Sequence, residues 1–217
     1  MNISEIAKMA GVSPSAVSRY LNQGYLSEEK REAIRRVIQE TGYRPLVQAQ
    51  ILRTRKTKTI GVILPKIDSS SIGSVVSGID SVLEPKGFQI LLADTHNSPE
   101  MELKYLDLFD DQRVDGVILI GTVFTPGHLS AVKKSRVPIV IAGQHLAGVS
   151  CVYHDDYHAF YDITRLLLEK GCRRFGYIGA LPEDKAVGQE RSRAYRDALR
   201  EAGLEDQAEH MVVADFT

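Results

Sequence analysis

Residues 6–19 read IAKMAGVSPSAVSR, two short helical patterns separated by a three-residue turn. That is the spacing of a helix-turn-helix, in which one helix braces another in the major groove of duplex DNA. Asn2 is placed to cap the first helix, and Glu5, three residues on, to return a bond to the Asn2 backbone. Ile6, Ala7 and Ala10 share one face. Gly11 falls where the first helix must stop in a left-handed conformation, which glycine adopts at no steric cost. Ser13 caps the second helix and Pro14 takes its first position, where a missing N–H costs nothing. Val17 and Tyr20 or Leu21 then face inward, leaving Ser15, Ser18, Arg19 and Asn22 facing out.

That outward set suits DNA. Arg19 has the fork geometry to bond guanine O6 and N7 together. Pro14 and Ser15 lie at the helix start, which enters the groove most deeply. Ser13, Ser18 and Asn22 are short polar groups suited to phosphate contacts, which position a protein but read no sequence. A third helix starts at Ser27 with Glu28 and Glu29, carries Ala33, Ile34, Val37 and Ile38 as its apolar stripe, and ends at Gly42. After Pro45 a short helix through Gln48, Ala49, Ile51 and Leu52 leads to Arg53, Arg55, Lys56 and Lys58.

Charge follows the same division. Residues 1–58 hold eleven Lys/Arg against five Asp/Glu, a net +6, whereas the rest holds sixteen against twenty-three, a net −7. The near-neutral total of −1 therefore conceals a basic head on an acidic body. Such a head attracts phosphate and binds in a salt-dependent way.

Taken in order, "IAKMAGVSPSAVSRYLN", "SEEKREAIRRVIQETGYRP", and the hinge "AQIL" before a basic stretch and "TIGVILP" make this chain resemble the lac/galactose repressor family of bacterial transcriptional regulators, in the flavour of the sucrose-operon regulators. The resemblance runs the whole length of the chain. It implies that Pro14, Ser15 and Arg19 read bases. It also implies that Leu52 is the hinge leucine that wedges into the minor groove, flanked by Ala49 and by Arg53, where many members carry alanine. An apolar wedge of this kind unstacks a base step and kinks the duplex, so that more protein surface engages.

From about residue 59 strand and helix signals alternate. Apolar runs at 60–64, 88–93, 116–120 and 138–142 are separated by helical stretches at about 74–86, 99–112 and 126–135. Runs of this kind imply a parallel sheet covered on both faces. A short fifth strand is expected at Cys151-Val152, opening a second unit with a helix over 157–170, a strand over 174–179, a helix over about 188–202 and a strand over 211–214. The expected architecture is an all-α helix-turn-helix head (1–44), a hinge helix and linker (45–58), and a doubly wound α/β body like a periplasmic binding protein. The body divides into a first subdomain (59–150) and the start of a second (151–217). By the resemblance, family members continue well past Thr217, so the second subdomain is expected to be incomplete.

Ligands of such sheets sit beyond the carboxyl ends of the strands. The residues there are Lys66, Asp68, Ser69 and Ser71 after the first strand, Asp94, His96 and Asn97 after the second, Gly121 and Thr122 after the third, Gln144 after the fourth, Asp155 and Asp156 before the later helix, and Arg191. This mixture of carboxylates, hydroxyls, amides and one arginine fits a polyol, and Lys66 with Arg191 could also pair a phosphate. The resemblance assigns Arg191 as the effector-binding arginine, three residues ahead of Ala194-Tyr195, and Asp155 as the aspartate opening the later helix.

His154 and His158, four apart beside two aspartates, have a metal-ligand spacing, but no third ligand is identifiable. No dinucleotide-binding, phosphate-loop or nucleophile-elbow motif occurs, and no spacing orders Ser, His and Asp into a triad. No enzyme, cofactor or metal is expected. Cys151 and Cys172 read as free thiols, and neither a signal peptide nor a membrane span is evident. The expectation is a cytoplasmic, homodimeric, operator-binding repressor of a carbohydrate-utilisation operon, controlled by a small sugar or sugar phosphate. The alternative is a cytoplasmic sugar-binding or sugar-modifying protein with an accessory helical head.

Overall fold

The computed structural model describes residues 1–22, 24–43, 56–204 and 210–214. The chain divides into two compact units, Met1–Lys56 and Thr57–Thr217.

The first unit contains three helices, α1 (Ile3–Met9), α2 (Pro14–Leu21) and α3 (Glu28–Thr41). Their boundaries follow from local chemistry. The Asn2 side chain accepts from the Glu5 N–H at 3.0 Å while Glu5 accepts from the Asn2 N–H at 3.0 Å, closing a reciprocal cap. Gly11 (φ +63°) and Gly42 (φ +62°) adopt the left-handed conformation that ends α1 and α3. Ser13 caps α2 through the Ala16 N–H. Ser27 starts α3 without a side-chain bond. Ile6, Ala7, Ala16, Val17, Ile34 and Val37 form the core where the three helices meet.

The second unit is built on a five-stranded, wholly parallel sheet in the order β2-β1-β3-β4-β5. The strands are β1 (Thr59–Leu64), β2 (Gln89–Asp94), β3 (Gly116–Ile120), β4 (Ile139–Ala142) and β5 (Ser150–Val152). Helices α4 (Ser70–Leu83), α5 (Pro99–Asp111) and α6 (Pro126–Lys134) cross over between them. Successive residues of β1 serve opposite faces, as the pleat requires. Ile63 packs with Leu106 and Phe109 of α5, whereas Val62 and Leu64 pack with Ile72, Val76 and Ile79 of α4. Both faces are therefore covered, which is why the strands read as unbroken apolar runs.

A smaller lobe follows, with α7 (Asp156–Glu169), β6 (Tyr177–Gly179), a π-helical turn (Lys185–Glu190), α8 (Arg191–Glu201) and β7 (Met211–Val213). Strands β6 and β7 pair in parallel. Tyr177, Tyr195 and Leu199 form its core with Phe160, Phe175 and Met211 around them.

The differences from the expected elements have local causes. α4 begins at Ser70, four residues before the expected start, because its first turn is serine-rich and carries little apolar signal. Strand β6 is confined to Tyr177–Gly179, the length over which β7 pairs with it. Residues 185–190 are π-helical ahead of α8, where the expected helix began at about residue 188. The expected subdomain boundary at 150/151 falls inside β5, which hydrogen-bonds to β4 and so belongs to the first sheet.

Candidate nucleic-acid interface and ligand cleft

In the head, α2 turns Ala16 and Val17 into the core and leaves Pro14, Ser15 and Arg19 exposed on the opposite face. Ser15 and Arg19 stand four apart, one above the other on that face. Ser13 Oγ lies 2.8 Å from Ser15 Oγ, so the capping hydroxyl and its neighbour form a small polar pair at the helix start. Asn22, the C-cap, donates its side-chain amide to the Ser18 carbonyl. Among the described residues no hydrogen bond or ion pair engages the Arg19 side chain, leaving its guanidinium extended for an outside acceptor. The hinge residues Ala49, Leu52 and Arg53 lie outside the described residues.

In the second unit a cavity of about 640 Å³ opens where strands end. Pro65 and Lys66 follow β1, Asn97 follows β2, Thr122 follows β3, Ala180 follows β6 and Ala214 follows β7; all line it. Five strand termini from two sheets thus converge on one space, the arrangement that parallel sheets use for ligands. Ser69 and Ser71 join from the start of α4, their hydroxyls 2.9 Å apart. Lys66 reaches Asp68 at 3.9 Å. The His96-Asn97 pair has left-handed backbone (φ +50° and +59°) and is tied down by the Asn97 N–H to the Pro65 carbonyl at 2.8 Å.

Of the expected ligand residues, then, Lys66, Ser69, Ser71 and Thr122 share this cavity. Asp94 is not among its lining residues; it shapes the rim by accepting from the N–H groups of Ile67 and His96. Asp155 and Asp156 line a neighbouring cavity of about 600 Å³ with His145, Tyr153 and Lys185. Arg191 is on neither wall. Its Nε donates to Asp156 Oδ1 at 2.6 Å, and its guanidinium lies 5.2 Å from the Phe160 ring centre. It joins the start of α8 to the start of α7. Lys66 and Arg191 therefore do not line a common cavity, which weakens the phosphate reading.

Asp155 is the N-cap of α7, and its carboxylate accepts from the His158 N–H at 3.1 Å and pairs with His158 Nδ1 at 2.8 Å. The backbone bond first, then the side-chain bond, holds the Asp155 carboxyl below its ordinary range. The His/Asp cluster is thus occupied in capping. Among the described residues no three His, Cys, Asp or Glu side chains are placed to hold a metal, and no helix is long and apolar enough to cross a membrane.

Of two further residues at this site, Gln144 was expected at the end of the fourth strand and Asp184 was not. Gln144, after β4, and Asp184, N-cap of the π-helical turn, are 5% and 9% exposed and bond to each other across the lobes at 3.1 Å. Forty residues separate them in sequence, and no motif links them.

These features define a two-part protein: a helix-turn-helix head and, next in sequence, a periplasmic-binding-protein-like body with a cleft at its strand ends. The chain belongs to the lacI family of bacterial regulatory proteins. The model of the "Periplasmic binding proteins and sugar binding domain of LacI family" matches residues 57–216, and that of "Bacterial regulatory proteins, lacI family" matches residues 2–45. The chain is 36% identical over 190 residues to the sucrose operon repressor of Staphylococcus xylosus, a match covering 88% of this chain and 59% of that protein. It is 31% identical to the transcriptional regulator RegA of Clostridium saccharobutylicum, over 94% of this chain and 62% of that one. The chain thus spans about three-fifths of the length of these relatives. Among solved structures, the regulator CelR in complex with cellobiose aligns with a TM-score of 0.64 at 29% identity, over 100% of this chain and 66% of that one. The lac repressor dimer on its operator shares the fold, with a TM-score of 0.85 at 18% identity over the same shares of the two chains.

Proposed function

We propose that this chain is the DNA-binding and effector-binding part of a homodimeric, cytoplasmic transcriptional repressor of a carbohydrate-utilisation operon, and that it is not an enzyme. The observation that carries this reading is the exposed, unengaged Arg19 on α2, with Ser15 beside it, in a head of net +6. Pro14, Ser15 and Arg19 read base edges, while Ser13, Ser18 and Asn22 contact phosphates. Residues 1–44 form the head and 45–58 the hinge, with Ala49, Leu52 and Arg53 in the minor groove. A dimer sets two heads in successive major grooves of a near-palindromic operator. The exposed apolar side chains Val75 and Val82 of α4 and Leu91 and Leu92 of edge strand β2 give a second copy a surface to pack on.

The effector enters between the lobes. Lys66, Ser69, Ser71 and Thr122 supply its contacts, and Asp155, Asp156 and Arg191 brace the second lobe. With Lys66 and Arg191 lining no common cavity, a neutral sugar fits this cleft better than a phosphorylated one. The effector controls DNA binding only through unequal affinity for two arrangements of the protein.

Selection of duplexes from a random pool tests this, with the full chain alone and then with sucrose, fructose, cellobiose and fructose 1-phosphate. The expected result is a near-palindromic consensus whose occupancy one of the neutral sugars changes. Equal retention of all duplexes at low ionic strength would refute the DNA-reading role.

A further inference from the structure

Asp184 is held in the cleft wall by bonds from both lobes. Its Oδ1 accepts from the Val187 N–H at 2.9 Å, capping the π-helical turn, and from Gln144 Nε2 at 3.1 Å. Gln144 also donates to the Thr122 carbonyl, so it belongs to the first lobe and reaches into the second. The turn is closely packed. A Cβ on Gly188 would lie 1.9 Å from the Leu181 carbonyl oxygen, so backbone packs directly on backbone there. Asp184 starts this turn and lines the same cavity as Lys66, Ser69, Ser71 and Thr122.

The bonding of this carboxylate is incomplete. Burial pushes the Asp184 carboxyl above its ordinary range, against the N–H groups of Val187 and Ala186 and the charge of Arg191. A carboxylate offers about four acceptor positions. Gln144, Val187 and Ala186 account for three. One position remains on a nearly buried carboxylate that lines the cavity. A hydrogen-bond donor there recovers solvation that the protein alone does not supply.

We propose that Asp184 is a specificity-determining residue of the cleft, accepting one hydroxyl of a neutral polyol, and that Gln144 is the positioning residue that holds it from the opposite lobe. The assignment rests on the reading of the cleft as a sugar site. It also ties recognition to closure, because the guest's hydroxyl and the Gln144 amide meet at one carboxylate supported from both lobes.

The test is calorimetric titration of the full chain with sucrose, fructose and cellobiose, followed by the monodeoxy forms of whichever binds. Asp184→Asn keeps the Oδ1 that caps the turn but replaces one acceptor by a donor. Its affinity should fall about 10- to 100-fold, as for a lost hydrogen bond to a charged group. One monodeoxy form should bind the wild type about tenfold more weakly than the parent sugar yet lose nothing further on Asp184→Asn. A residue that merely supports the fold would leave every deoxy penalty the same on both proteins, and that result overturns the assignment. So does undiminished affinity of Asp184→Asn. If no neutral sugar binds the wild type, the sugar reading of the cleft fails and this assignment with it. Should Asp184→Asn not fold, Gln144→Met decides. It keeps the volume and removes the donor, and unchanged affinity there overturns the proposal.

Discussion

Replacing His128 by alanine should cost the second unit about 2–4 kcal/mol, since it leaves a buried carboxyl group without its hydrogen-bond partner. His128 and Glu102 are 0% and 1% exposed. The Thr125 N–H donates to His128 Nδ1 at 3.1 Å, and a backbone N–H can only donate, so that nitrogen carries no proton. The ring proton sits on Nε2 and is donated to Glu102 Oε2 at 2.9 Å. Truncation therefore strands a buried carboxyl group. It also removes half of the reciprocal cap of α6, worth about 1 kcal/mol, and opens a void beside Phe124, whose ring centre is 5.6 Å away. These effects share one side chain and do not add, which is why the expected total stays near the pair term. Urea unfolding at neutral pH measures it as a midpoint shift at constant slope. Glu102→Gln is the control, since its amide oxygen accepts the same Nε2–H and should cost far less. The double variant Glu102→Gln/His128→Ala should recover about 2 kcal/mol relative to His128→Ala, because no carboxyl is left stranded. A loss below about 1 kcal/mol for His128→Ala, no more than the cap is worth, would refute the reasoning. So would a double variant no better than the single.

Four further outcomes are expected. Gly61→Ala puts a Cβ 2.3 Å from Phe109 Cδ2 and should lower stability by about 1–3 kcal/mol, whereas Gly78→Ala, with nothing within 4 Å inside α4, should be neutral or stabilising by about 0.5–1 kcal/mol; thermal melts showing the reverse order would contradict the packing of α5 on β1. Arg19→Ala should lose about 1–3 kcal/mol on the preferred operator and relax preference at one base position, and an equal loss on every duplex would exclude base reading. Burial raises Asp184, so its contribution to stability is greatest in acid and falls as pH rises through its raised value. Asp184→Asn should therefore raise the urea midpoint at neutral pH, with the gain vanishing in acid. For Asp110, burial pushes up but the bonds and charge of Arg136 outweigh it, so Asp110→Asn should lower the midpoint at neutral pH and converge with wild type as pH falls.

The head was legible because its determinants are local. The Asn2/Glu5 cap, the glycine at position 11 and the Ser13-Pro14 start each act within four residues. The order of strands and helices was legible for a related reason, since a strand buried on both faces must be apolar throughout. Ser69 and Ser71 illustrate where that reasoning stops. They were placed after β1 as loop ligands, and they do reach the cavity, but as the N-cap and first turn of α4. Periodicity marks the apolar face of a helix and is silent about a serine-rich first turn.

The cleft was only half legible, and Arg191 shows why. An arginine near carboxylates and strand ends looks the same in sequence whether it faces a ligand or a protein acceptor, since the guanidinium fork fits either. The starts of α7 and α8 come together and engage the Arg191 Nε with Asp156, at 2.6 Å and 35 residues apart. The same convergence leaves Asp184 with only partial support from Gln144, 40 residues away. Sequence shows which groups can bond. Long-range packing decides which of them have already done so, and the incompletely bonded groups are the ones free to read a ligand. For this cleft that adds Asp184, proposed above as a specificity residue, to the candidates named from sequence.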